Sequence, residues 1–305
     1  MPRRVPDQQK GPACMKLVRY GNPGEELPGL IDHDGAVRSL SGIVPDIAGA
    51  ALSPESLQKL QALDPATLPL SDPGRFGPCV GGTSKVVGVA QNYHCFIEHA
   101  GMPMPKHPIL FLKPQSSICG PTDDILLHAD DEKADWEIEL SVVIGQTARR
   151  VPVHEAMNYI AGYCVLNDIT ERGRFAKSGQ FVDGKSADTF TPVGPWLVTK
   201  DEVPDHRNLG IYFDLNGVRY QNGHSGSMIF GVEFLISHIS GLMTLSPGDI
   251  LATGTPRGVG GRSDPPRFLR VGDQVHASID GMGEQSARVV AVSQKSLLQN
   301  QTTTG

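Results

Sequence analysis

Residues 135–145 read DWEIELSVVIG, and their alternation decides the fold class. In an extended chain successive side chains point to opposite faces, so Trp136, Ile138, Leu140 and Val142 fall on one side. Glu137, Glu139 and Ser141 fall on the other. Two carboxylates at i and i+2 then stand side by side, which requires solvent, a cation or a shared proton. A solvated edge strand would meet that requirement as simply as a functional site would.

The segments that follow shift the balance. VPVHEAMNYIAG (151–162) carries a helical pattern closed by Gly162, and YCVLNDIT (163–170) is a strand too apolar to lie on a surface. A β–α–β path of this length can return the second strand beside the first, which would bring Asp168 to Glu137 and Glu139. Three carboxylates are hard oxygen ligands, suited to Mg²⁺, Mn²⁺ or Ca²⁺ rather than zinc.

Outward from this centre the chain reads as many short strands with few, separated helices. SPESLQKLQAL (53–63) is a short helix with a Ser N-cap, and GVEFLISHISGLMTLSPGD (231–249) begins as another. KVVGVAQNY and ILFLKP are strands. LGIYFDLNGVRYQNG is a hairpin about Asn216-Gly217, and DQVHASIDGMGEQSARVV is a second hairpin. MKLVRYG and ELPGLIDHDGAVRSLS give two or three strands with a turn at Asp34-Gly35. With 35 Gly and 24 Pro in 305 residues, turns abound. The class is α+β, β-rich, a curled sheet or barrel rather than a doubly wound sheet. The expected divisions are a disordered extension (1–14), a small N-terminal α+β domain (15–78), a catalytic domain (79–296) and a frayed tail (297–305).

A net charge of −6 argues against nucleic acid as a partner. No apolar run approaches the roughly 20 residues that span a bilayer. The arginines near the N-terminus lack the apolar stretch of a secretory signal. Five cysteines without CxxC spacing suit reduced thiols in a cytoplasmic protein.

Further chemistry lies in three stretches. GQFVDGKSADTFTPVGPW places Lys185 in a turn-rich segment with Thr189 four residues on; beside a metal, such a lysine pairs with a substrate carboxylate or stabilises an enolate. The commoner alternative is an exposed lysine. LATGTPRGVGG ends a strand in a glycine-rich loop able to meet an anion, without the ending of a P-loop. GVAQNYHCFIEHAGMP concentrates His94, Glu98 and His99, which read either as an acid–base cluster or as the solvent face of a helix.

Taken together, DWEIELSVVIG, AGYCVLNDIT, GQFVDGKSADTFTPVGPW, NGVRYQNGHSGSMIFGVEFLISHIS and LSPGDILATGTPRGVG resemble, in order and spacing, the fumarylacetoacetate hydrolase family. MKLVRYG…PGLID resembles the short N-terminal domain of its bacterial hydrolase and lyase branch, which includes ureidoglycolate lyase-like and diketo-deoxy sugar acid hydrolase-like proteins. The resemblance implies a mixed β-roll, usually a homodimer. It also implies a Mg²⁺- or Mn²⁺-dependent enzyme that cleaves C–C bonds of 2-oxo acids or 1,3-dicarbonyls by hydrolysis or decarboxylation, or tautomerises them. Position by position, it implies Glu137, Glu139 and Asp168 as metal carboxylates and Lys185 as the active-site lysine. Thr255 and Arg172 would be substrate contacts.

The lid segment departs from that pattern. Aligned on Asn92-Tyr93 and AGMP, Phe96 stands where hydrolytic relatives carry a histidine and His99 where they carry a glutamate. Gly173 and Phe175 replace an aspartate and a glutamine, and Ala187 a common Phe. Three readings follow. In the first the dyad is rewired, with Glu98 orienting His94 at i and i+4, or with His99 acting alone. In the second the chemistry needs no activated water, as in decarboxylation, tautomerisation or cyclisation of a bulkier substrate in a pocket made more apolar by Phe96 and Phe175. In the third the protein binds metal without catalysis.

Overall fold

The computed structural model describes residues 15–292, so the expected extension 1–14 and tail 297–305 lie outside the described residues. Two open sheets form the frame. The larger has ten strands in the order Leu70–Ser71, Val37–Ser39, Leu27–Ile31, Lys16–Tyr20, Leu197–Thr199, Ile160–Asn167, Ile138–Ile144, Ile250–Ala252, Val86–Ala90 and Ile109–Lys113. The smaller has five, in the order Val218–His224, Gly210–Leu215, Gln274–Ile279, Gly283–Ala291 and Ile125–Leu127. Neither closes on itself, so the barrel alternative is corrected to open, mixed sheets packed face to face.

The alternation in 135–145 builds the core from both sides. Trp136, Ile138, Leu140 and Val142 pack with Ile211, Phe213, Val275 and Ile279 of the smaller sheet. Val143, facing the other way, joins Leu17, Leu52, Leu57 and Leu60. Every residue of Ile138–Ile144 is buried, with Ile160–Asn167 on one flank and Ile250–Ala252 on the other. The solvated-edge reading is thereby excluded. Trp136 is fully buried, stacked on Phe213 (centroids 4.8 Å) and donating through Nε1 to the Gly258 carbonyl at 3.0 Å.

One expected connection differs. Residues 153–159 form a 3-10 turn rather than an α-helix, and the next strand begins at Ile160, ahead of Gly162. The strands on either side pair antiparallel, with Ile138 opposite Asn167 and Glu139 opposite Leu166. Pro152 stands at the N-cap, where proline is tolerated, and the turn ends where Ile160 enters the sheet.

The local signals elsewhere hold. Ser53 caps the Pro54–Gln61 helix by accepting from the Ser56 N–H at 3.2 Å. The hairpin turns at Asn216 and Gly217, both with positive φ, as its Asn-Gly pair requires. Lys16–Tyr20 pairs with Leu197–Thr199, so the N-terminal strands extend the sheet that carries the centre. No described helix is long and apolar enough to cross a membrane.

Candidate active site

Three carboxylates converge where two neighbouring strands end. Oxygens of Glu137, Glu139 and Asp168 lie within 4.8 Å of one another, and all three residues are buried. The cause is register: Ile138 faces Asn167, so the residues just beyond, Glu137 and Asp168, meet at the same end of the ladder. The Asp168 N–H donates to the Glu137 carbonyl at 2.8 Å, and the Glu137 N–H to the Asn167 side chain at 3.1 Å.

Three cations hold this charge in place. The Lys185 ammonium donates to Glu137 Oε2 (2.8 Å), to the Thr170 hydroxyl (2.7 Å) and to Asp168. Arg172 reaches Asp135 Oδ2 at 2.5 Å and Glu137 Oε1 at 2.7 Å. Lys113, at the end of the Ile109–Lys113 strand, donates to Asp168 Oδ1 at 2.6 Å and to the Ile169 carbonyl. Asp135 is also fully buried, accepting from the Gly260 and Gly261 N–H groups at 2.7 and 2.8 Å. A Cβ on Gly260 would meet the Arg267 carbonyl at 2.0 Å, so only glycine lets this backbone close over Asp135.

Environment pushes the acids apart. Burial raises Glu137, but the adjoining Lys185 and Arg172 charges outweigh it and hold the group down at about 2. Glu139 goes the other way: burial first, then the neighbouring Asp168 and Glu137 charges, raise it well above the carboxylate range. Its one hydrogen bond from the described residues is the Gly254 N–H at 2.7 Å, and Gly254 holds a φ of 98° suited to glycine. Burial lowers Lys185, yet Asp168 and Glu137 more than compensate and leave it raised and charged. Lys113 is lowered by its burial.

The centre opens on a cavity of about 250 Å³ whose walls include Phe96, Phe111, Phe175, Phe181, Met102 and Val89. A larger depression of about 580 Å³, around Leu127, Phe268 and Val292, lies elsewhere and meets none of the three carboxylates. Of the residues singled out from sequence, Glu137, Glu139, Arg172, Lys185, Thr255, Phe96 and Phe175 line the 250 Å³ cavity, with Asp168 behind Lys185. The Thr255 hydroxyl donates to the Ile138 carbonyl at 2.9 Å and accepts from Gln221 at 2.8 Å. The Thr189 hydroxyl is outside it, accepting from the Leu126 N–H at 2.8 Å.

The lid segment forms the helix His94–Ala100, closed by Gly101 in the left-handed region. Ile97 is buried and Phe96 faces the cavity, while His94, Glu98 and His99 are exposed and absent from the cavity walls. His99 Nε2 lies 3.1 Å from the Arg262 carbonyl, tying the helix to the glycine-rich loop. Sequence reasoning overlooked Lys113, Asp135, Phe181 and Arg262. A lysine closing the apolar run ILFLK and the aspartate that opens DWEIEL were visible signals for the first two; Phe181 opens the short helix that carries Lys185, and Arg262 follows the glycine-rich loop.

A carboxylate trio able to hold a divalent cation, a buried lysine and a threonine loop thus meet on open mixed sheets. Residues 85–290 match the fumarylacetoacetate (FAA) hydrolase C-terminal family, and the chain belongs to that family. A Burkholderia multivorans protein, provisionally named a hydrolase, is 51% identical over 274 residues, covering 89% of this chain and 97% of its own. Fumarylacetoacetate hydrolase from Exiguobacterium antarcticum superposes with a TM-score of 0.79 at 31% identity, over 91% of this chain and 100% of that one. Maleylpyruvate hydrolase from Sphingobium sp. SYK-6, solved with manganese(II) and pyruvate, gives 0.76 at 28% identity, over 92% and 100%.

Proposed function

We propose that the protein is a divalent-metal-dependent enzyme that cleaves a C–C bond of a 2-oxo acid or 1,3-dicarbonyl, with decarboxylation as the form its site suits best. The observation that carries this is the buried convergence of Glu137, Glu139 and Asp168 beside Lys185, open to a cavity. The donor set fits a hard dication: all-oxygen, and with Glu139 held by a single N–H and pushed up by its burial and by the neighbouring Asp168 and Glu137 charges. Mg²⁺ or Mn²⁺ is favoured, and Ca²⁺ shares the same donors. Such an ion supplies Lewis acidity where negative charge develops.

The chain's own groups do the rest. Lys185, kept protonated by Glu137 and Asp168, adds a positive charge beside the enolate. Arg172 orients Glu137 through one arm while Asp135 holds the other. The phenylalanine walls give the cavity an apolar side. In decarboxylation the pair of the broken C–C bond stays on the 2-oxo acid fragment as the enolate, CO₂ departs, and a proton is returned to carbon. No water needs activation, consistent with His94, Glu98 and His99 facing solvent. The same exposure favours tautomerisation as the second reading, since moving a proton along an enolate requires no water either.

The test is turnover of oxaloacetate and an acylpyruvate with Mg²⁺ or Mn²⁺, before and after chelation. Activity that chelation leaves intact, or no turnover of any such acid, overturns the proposal. A homodimer in the cytoplasm completes the reading; light scattering at micromolar concentration checks the assembly.

A further inference from the structure

Lys185 has no N–H to spare. Its ammonium carries three donors, and Glu137 Oε2, Asp168 Oδ2 and the Thr170 hydroxyl take all of them. To donate to an enolate it must hand one over. Both carboxylates can release it, because each keeps a second cation: Arg172 on Glu137 at 2.7 Å and Lys113 on Asp168 at 2.6 Å. One further contact of the ammonium uses no N–H at all: it stands 4.6 Å from the centroid of the Phe111 ring.

A single strand supplies that contact. In Ile109–Lys113 positions 111 and 113 share a face, so Phe111 and Lys113 reach the centre together, one against Lys185 and the other against Asp168. Gly88 lies opposite Phe111 in the neighbouring strand, and a Cβ there would stand 2.1 Å from the ring, so glycine is what leaves room for it. Phe181 stacks on Phe111 (centroids 5.2 Å) and Phe175 on Phe181 (4.8 Å), which fixes the plane of the ring. Phe111 and Lys185 are both buried, and a cation held over a ring away from water is at the strong end of such contacts.

We propose that Phe111 is a positioning residue for Lys185: its ring face holds the ammonium at the cavity while an N–H donor passes from a carboxylate to the substrate oxygen. Lys113 is its counterpart, keeping the Asp168 charge compensated during that exchange. This rests on the preceding reading of the site, in which Lys185 stands beside an enolate.

The test replaces the Phe111 side chain with its mono-, di- and trifluorinated forms, which keep the shape of the ring and drain charge from its face. In the metal-free full chain the melting temperature should step down with each fluorine, and the same series in Lys185→Met should be flat. With Mg²⁺ present, calorimetry with oxalate, a flat dianion with two adjacent oxygens like the enolate, should show affinity falling about tenfold across the series. Circular dichroism confirms that every form folds. Equal steps in the two backgrounds, or oxalate affinity that is indifferent to fluorine, overturns the proposal. If the unaltered chain binds no oxalate, the enzymatic reading fails, and the two melting series alone decide the Phe111 contact.

Discussion

The carboxylate centre and the lid helix carry comparable numbers of acid–base residues, yet the fold treats them oppositely. Glu137, Glu139 and Asp168 sit at the ends of fully buried strands, each held by backbone or cation partners. His94 and Glu98 stand on a short exposed helix. Charge enters an interior only where partners offset its desolvation, so the buried set has few alternative states while the exposed set has many. Titratable residues crowded in sequence are therefore weaker evidence of chemistry than residues that the sheet forces together.

That contrast can be broken most directly at the centre. Asp168→Ala, or chelation, should lower turnover about 10³-fold or more, the scale of several kcal/mol of charge stabilisation. Calorimetric loss of Mg²⁺ binding in the same variant shows that the metal is the cause. A variant that keeps both would place the chemistry elsewhere. Arg172→Gln acts one contact further out and should weaken Mg²⁺ affinity by about 10–100-fold, as loss of a ligand-orienting partner does.

Glu139 sharpens the comparison through pH. Its carboxyl is raised in the fold above the ordinary 4.5, so the metal-free folded state holds a proton that the unfolded chain has released. Stability from this group is present below that value and declines as pH rises from it toward the folded one. The melting temperature of the metal-free protein should fall less steeply with pH in Glu139→Gln than in the unaltered chain. Mg²⁺ affinity should increase over the same range because the ion displaces the proton. An unchanged slope would mean that Glu139 is ionised in the fold. The smallest effect is expected at the helix: His94→Ala and Glu98→Gln should each change kcat/KM less than about threefold, within the range of an uninvolved surface site. A hundredfold loss would restore the rewired dyad.

Much of this was legible along the chain, for reasons that differ by residue. Period-two alternation in 135–145 is a local property, and it named the core side and the acidic side of the strand before any pairing was known. Asn216-Gly217 and Ser53 carry their turn and cap chemistry in one or two residues. The 153–159 segment carries a helical pattern closed by Gly162 yet forms a 3-10 turn, because the strand it leads into begins at Ile160. The antiparallel return, and with it the meeting of Glu137 and Asp168, depends on long-range pairing. Lys113, Asp135 and Arg262 were obscure for the same reason: each acts on partners more than thirty residues away.

The register of Ile138–Ile144 against Ile160–Asn167 has one more consequence. Adjacent strands in a sheet lie about 4.8 Å apart whatever their side chains, so the ladder sets the backbone spacing at Glu137 and Asp168, and rotamers only aim the oxygens from there. In the proposed metal site the backbone ends of these two ligands are thus placed by peptide geometry. The Phe96, Phe175 and Phe181 walls stand on short helices outside that lattice and can be exchanged like jaws on a fixed vice.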